Sequence, residues 1–79
     1  MRVEELSGDD AAVYRAVAER EDQDGAPHLQ DLARQAGLDL ERTRAAVDRL
    51  QHADPKLVHE VPDTSRTDLG PTYELAPRT

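Results

Sequence analysis

Residues 29–50, LQDLARQAGLDLERTRAAVDRL, constrain the fold more than any other segment of this chain. Apolar residues recur at helical spacing on both sides of Gly37, which predicts two short amphipathic helices joined by a tight turn. Gly37 stands where a helix commonly ends in left-handed backbone, and Asp39 stands where the next helix needs an N-cap. The segment is therefore predicted to be two packed helices rather than one long helix.

The second of these helices carries one predicted buried stripe. Its members recur at intervals of three, four and seven residues, and they are Thr43, Ala46, Val47 and Leu50. The buried hydroxyl of Thr43 needs a hydrogen-bond partner, and a backbone carbonyl one turn earlier is the expected acceptor. This stripe leaves the arginines of the same helix pointing outward.

The flanking segments predict one more helix and a β-hairpin. A helix is expected from about Asp9 to Glu21, with Ser7 as N-cap and a solvent-facing side formed by Arg15, Glu19 and Arg20. Strand-like runs at 57–61 and 72–76 are separated by a polar loop rich in residues that break strands. The side chains expected to face inward from the two strands are Leu57, Val61, Tyr73 and Leu75.

Length and composition predict one small domain over residues 1–79, with a core spanning about 6–76. The chain has no Cys, Phe or Trp, so its core must be built from Leu, Val, Ala and two tyrosines, and disulfides are excluded. No apolar run approaches the roughly 20 residues that cross a bilayer. We expect a cytoplasmic protein with no membrane partner, and the oligomeric state stays open.

The residues that most often carry catalysis or bind metal show no pattern typical of an active site. The three histidines, His28, His52 and His59, lack the spacing of known metal motifs and are expected to be surface or hydrogen-bonded residues. The acidic runs lie near termini and loops rather than in a pocket that would shift their pKa values. The sequence therefore predicts no enzyme activity, no metal site and no cofactor.

The net charge of -7 is unevenly distributed along the chain. Residues 1–24 carry eight acidic and three basic residues, residues 25–53 carry four of each, and residues 54–79 carry five acidic and three basic residues. The predicted helix pair is thus locally neutral, although affinity for nucleic acid comes largely from cations. If the isolated chain binds DNA, we expect weak and strongly salt-dependent binding.

The order of these elements resembles the winged helix-turn-helix superfamily, an α+β fold of three helices followed by a two-stranded β-hairpin wing. Leu32-Ala33 with Gly37-Leu38 is similar to its scaffold helix and turn, and Val47-Asp48-Arg49-Leu50 is similar to the end of its recognition helix. The closest similarity is to the core of MarR-like regulators. This sequence lacks their flanking dimerisation helices, and it has Thr43 where Val or Ile is usual.

The resemblance implies DNA binding through the third helix. Arg42, Arg44 and Arg49 are the candidate contacts, since arginine reads guanine edges and clamps phosphates, and Ala45 would allow close approach. The supporting contacts come from other elements and are Arg66 near the wing tip and Gln30 and Arg34 on the second helix. The alternative is a solvated face whose charges pair with one another, as Arg44 and Asp48 would.

A second function is compatible with the same fold. An acidic winged helix without DNA binding could serve as a protein-interaction module for a basic partner. The expected contact residues lie at the end of the first helix and in the loop after it, and they are Glu19, Glu21, Asp22 and Asp24.

Overall fold

A computed structural model describes residues 6, 8–24, 26–53, 55–62 and 70–76. Its elements are three helices, α1 (Gly8–Asp24), α2 (Leu29–Ala36) and α3 (Leu40–Gln51), followed by strands β1 (Val58–Val61) and β2 (Thr72–Leu75). The strands pair as an antiparallel hairpin, so the predicted α+β layout of a winged helix-turn-helix is confirmed. Ser7, the predicted N-cap of α1, lies outside the described residues.

The turn between α2 and α3 forms as the sequence predicts. Gly37 ends α2 in the left-handed region, with φ 73° and ψ 33°, and the Leu38 amide donates to the Ala33 carbonyl over 3.0 Å. Asp39 caps α3 by accepting a 2.8 Å hydrogen bond from the Arg42 amide. The Thr43 side chain is fully buried and donates to the Asp39 carbonyl over 2.8 Å, which confirms the expected acceptor.

A single hydrophobic core joins all five elements. The buried members of this core are Val13, Ala16, Val17, Leu32, Ala46, Val47, Leu50, Val58 and Tyr73. Leu32 and Leu50 are the largest of the side chains that are completely enclosed. Because interiors are close-packed and this core has few bulky members, the fold depends strongly on each of them.

The hairpin packs on the core mainly through Val58, a residue of β1 that the sequence did not predict to face inward. Val58 is completely buried and pairs with Leu75, whereas Leu57 and Val61 are only half-buried. Side chains alternate between faces in a strand, so Leu57 and Val61 share the face opposite Val58. Leu57 and Leu75 nevertheless pack against the core, as predicted. Val61 is only half-buried and is not among the described residues that pack on the core, so its predicted inward position is wrong. The burial of Tyr73 is confirmed.

The hairpin is fixed to the helices by backbone hydrogen bonds at both of its ends. On one side of β2, His28 forms a bridge with Thr72, and the Tyr73 amide donates to the Pro27 carbonyl over 2.9 Å. At the hairpin base, the Leu57 amide donates to the Leu50 carbonyl at the end of α3 over 3.1 Å. The sequence did not predict the strand-like role of residues 27–28, which holds the hairpin in place beside α3.

Candidate nucleic-acid interface

The exposed surface of α3 has three lines of side chains. Each helical residue advances by about 100°, so the line directly opposite the buried stripe contains Glu41, Ala45 and Asp48. Arg42 and Arg49 are seven residues apart and share the flank beside α1. Arg44 lies on the opposite flank. The most outward part of α3 is therefore acidic, and the arginines lie on either side of it.

Arg42 is held by the first turn of α1. Its Nε donates to Asp9 Oδ2 over 2.9 Å and its Nη2 to Asp9 Oδ1 over 2.6 Å, which is a two-pronged ion pair. The hydrogen bond from Arg42 is the main reason that the pKa of Asp9 lies below its usual value of 3.8. The same contact raises the pKa of the Arg42 guanidinium.

Arg49 makes a related contact with Asp10, the next residue of α1, but it reaches only one carboxylate oxygen. Its Nε and Nη2 both reach Asp10 Oδ1, over 2.8 and 2.7 Å. The hydrogen bond to Asp10 raises the pKa of the Arg49 guanidinium. Both aspartates lie in the first turn of α1, where the positive end of the helix dipole also stabilises a carboxylate. Two of the three α3 arginines predicted to contact DNA are thus already paired within the chain.

Arg44 and Asp48 are both described by the structure, but they do not form the ion pair that the alternative interpretation of α3 expects. Asp48 Oδ1 lies 3.3 Å from His52 Nδ1 instead, and the same ring nitrogen is 2.8 Å from the Asp48 carbonyl. His52 caps the end of α3, so its ring turns back onto the last turn. Arg44 and Ala45 are exposed on α3, as predicted.

The phenol of Tyr73 is affected by charges on both the hairpin and α3. Burial is the main cause that raises the pKa of its phenol above 10.0, and the negative charge of Glu60 raises it further. The positive charge of Arg44 acts in the opposite direction. Glu60 and Arg44 therefore both lie close enough to Tyr73 for their charges to affect its proton.

This arrangement predicts how the protein responds to alkali. The folded state holds the Tyr73 proton more tightly than the unfolded chain does. The stability that Tyr73 contributes is therefore fully present below pH 10, and it is lost as the pH rises through the raised pKa of the folded state. In a Tyr14→Phe background, ultraviolet titration should show Tyr73 ionising above 10.0. Glu60→Gln should lower that pKa and Arg44→Ala should raise it. Ionisation at the ordinary value in the folded protein would contradict the burial of Tyr73.

The remaining predicted DNA contacts are Gln30, Arg34 and Arg66, and none of them belongs to α3. Gln30 and Arg34 are both exposed on α2. Arg66 lies outside the described residues, so its contribution to the wing remains a prediction.

The first helix, α1, ends later than predicted. It continues to Asp24, whereas the sequence predicted an end near Glu21. Glu19 is exposed and accepts a 2.8 Å hydrogen bond from Gln35 Nε2, while the side chains of Glu21, Asp22 and Asp24 lie outside the described part. The last turn of α1 contains no basic residue. These acids therefore belong to a helix end, where the dipole is negative, rather than to a loop.

Arg20 is half-buried, which corrects its predicted place on the solvent-facing side of α1. It follows the core residues Val13, Ala16 and Val17 by seven, four and three positions, so it lies on the packed face. Its Nε is buried and has no hydrogen-bond partner among the described residues. Arg15 is exposed, as predicted.

Each histidine contacts a carboxylate. His59 Nε2 lies 2.9 Å from Glu74 Oε2 across the hairpin, and His28 Nδ1 lies 3.6 Å from Asp31 Oδ2 at the start of α2. Within the ranges that the structure describes, no group of three His, Asp or Glu side chains is arranged to hold a metal ion. No described helix has the length and apolar character that a bilayer span requires.

Comparison with known proteins does not identify a family for this chain. The chain matches no protein-family profile, no curated protein and no solved structure.

The sequence did not predict the contacts of Asp9 and Asp10 with α3. The sequence placed Asp9 only at the start of α1, and the arginine partners of the two aspartates lie 33 and 39 positions away along the chain. A partial signal exists, because the seven-residue spacing of Arg42 and Arg49 places both on one flank of a helix. Which element packs beside that flank could be learned only from the fold.

Proposed function

We propose that this chain is a small DNA-binding protein of the winged-helix superfamily, a cytoplasmic transcriptional regulator or an accessory to one, with α3 as its recognition helix. The observation that supports this most is the fixed geometry of α3 beside the hairpin, with three arginines on its exposed flanks. A helix presented in this way fits the major groove, and arginine is the side chain best suited to guanine edges and phosphates.

The ion pairs of Arg42 and Arg49 leave both side chains open to solvent. Arg42 is 58% exposed and Arg49 is 55% exposed although each contacts an aspartate. Both side chains are therefore exposed enough to turn toward a phosphate on the solvent side. Arg44 on the other flank completes a set of cations that a duplex could contact along the length of α3.

The acidic residues of α3 set the strength of this binding. Glu41 and Asp48 lie on the outermost line of the helix and repel phosphates, so affinity depends on the three arginines around them. A carboxylate in the major groove can still accept a hydrogen bond from the amino group of cytosine. We therefore propose weak backbone binding together with some base preference.

Arg44→Ala tests the proposal with one substitution. Fluorescence anisotropy with a labelled duplex at about 50 mM salt should show weaker binding, and the slope of log affinity against log salt should fall by about 1. Arg15→Ala is the matched control, since it removes the same charge from an exposed position of α1. The proposal fails if the wild-type chain binds no duplex in these conditions, or if both variants bind equally well.

A protein-interaction module for a basic partner is the second candidate, and the extent of α1 favours it. The helix continues through Asp24 with no basic residue in its last turn. Acids at this end oppose the helix dipole, and residues that break such a local rule often serve a function. If a basic peptide binds as tightly after the four acids Glu19, Glu21, Asp22 and Asp24 are changed to amides, this candidate is excluded.

A further inference from the structure

We infer that Arg42 and Arg49 form a two-arginine phosphate site on the α1 flank of α3, and that Asp9 and Asp10 are built-in competitors for it. The inference rests on the proposed function, because it assigns the phosphate contacts of the same helix and a device that limits them. Both arginines must leave their carboxylates before they can bind the phosphates of a duplex on α3.

Arg42 binds Asp9 in the way that an arginine binds a phosphate. Its Nε and Nη2 each hold a separate oxygen of Asp9, which is the planar edge that arginine uses to grip two oxygens of a phosphate. Arg49 directs the same two nitrogens at Asp10. The carboxylates therefore occupy the positions where phosphate oxygens would bind.

The difference in exposure indicates which partner moves. Asp9 and Asp10 are 24% and 17% exposed, whereas both arginine side chains are more than half exposed. The aspartates are also short and belong to the first turn of α1, so their positions follow from the packing of that helix. The long guanidinium side chains can rotate away from α1 and toward a ligand while the aspartates stay in place.

The free energy of a surface ion pair is small, so moving the two arginines from aspartate to phosphate lowers the affinity only to a limited extent. Exposed pairs contribute little because water and salt compete with them. Breaking two of them should reduce the affinity for a duplex by roughly two- to thirty-fold, which is a limit on binding rather than a block.

Asp9→Asn with Asp10→Asn in the full chain tests the inference. The pair of substitutions frees both arginines and changes the net charge by two, so the matched control is Glu19→Gln with Glu21→Gln, which makes the same change at the other end of α1. In anisotropy with the same duplex, the first variant should bind roughly two- to thirty-fold more tightly than the control. Adding Arg42→Ala and Arg49→Ala to it should remove the gain.

Asp9→Ser with Asp10→Ser provides a second variant should the asparagines disturb the start of α1, since serine is also well accepted at helix starts. Circular dichroism would establish that each variant folds. If the wild-type chain binds duplex but the variants bind no better than the control, the competitor role is overturned and the proposed function stands. If no variant binds duplex, both are overturned.

Discussion

Leu50→Ala is expected to lower the free energy of unfolding by about 2–5 kcal/mol. Leu50 is only 1% exposed and lies where α3 meets the rest of the core. Truncation removes its apolar contacts and leaves a cavity that close-packed neighbours fill only in part. A domain of this size has about 3–5 kcal/mol in total from its core, so the variant should be largely unfolded at 37 °C. Urea denaturation followed by circular dichroism measures the loss.

Leu40→Ala is the matched control for that result. It is the same substitution on the same helix, but Leu40 is 45% exposed, so nearly half of its surface is already in water and the core does not enclose it. Its effect should stay below about 0.5 kcal/mol, as is usual for surface positions. Similar losses for the two variants would contradict the orientation of α3, and with it the placement of every arginine on that helix.

Tyr73→Ala is expected to cost about 3–5 kcal/mol, the range observed for truncating buried aromatics. Tyr73 is the buried aromatic of the hairpin, and its backbone amide also bonds the Pro27 carbonyl. The variant should lose the packing of the hairpin on the helices together with most of its stability. Thermal melting measures the stability, and amide spectra measure the packing.

Tyr73→Phe distinguishes the contribution of the ring to stability from that of its hydroxyl. It keeps the buried surface, so the change in unfolding free energy should stay within about 1 kcal/mol. If Tyr73→Phe is as damaging as Tyr73→Ala, the hydroxyl and not the packed ring would hold the hairpin. If Tyr73→Ala is harmless, the hairpin is not part of the core.

The helix pair could be predicted well because its signals are local. Gly37 and Asp39 are specific to a helix end and a helix start, and the stripe from Thr43 to Leu50 has one clear period. The register of the hairpin was harder to predict, since Leu57, Val58 and Val61 place apolar side chains on both faces of β1. The pairing of Val58 with Leu75 places it on the hairpin face that also contains Tyr73, and this register selects Val58 for the core.

The charges of the candidate site were the least predictable feature. The sequence shows which residues of α3 are outward, but an arginine on a flank can face solvent or a neighbouring helix. The packing of α1 decides this for Arg42 and Arg49 by bringing Asp9 and Asp10 beside them. Contacts between residues so distant in the chain leave no local pattern in a single sequence.

Amide and arginine side-chain NMR of the labelled protein, titrated with a short duplex at low salt, tests DNA recognition by α3 most directly. We expect the shift changes to concentrate on α3 and the hairpin, with the Nε–H signals of Arg42, Arg44 and Arg49 among the largest. Shifts confined to the end of α1, or none at saturating duplex, would contradict α3 as the DNA-binding element.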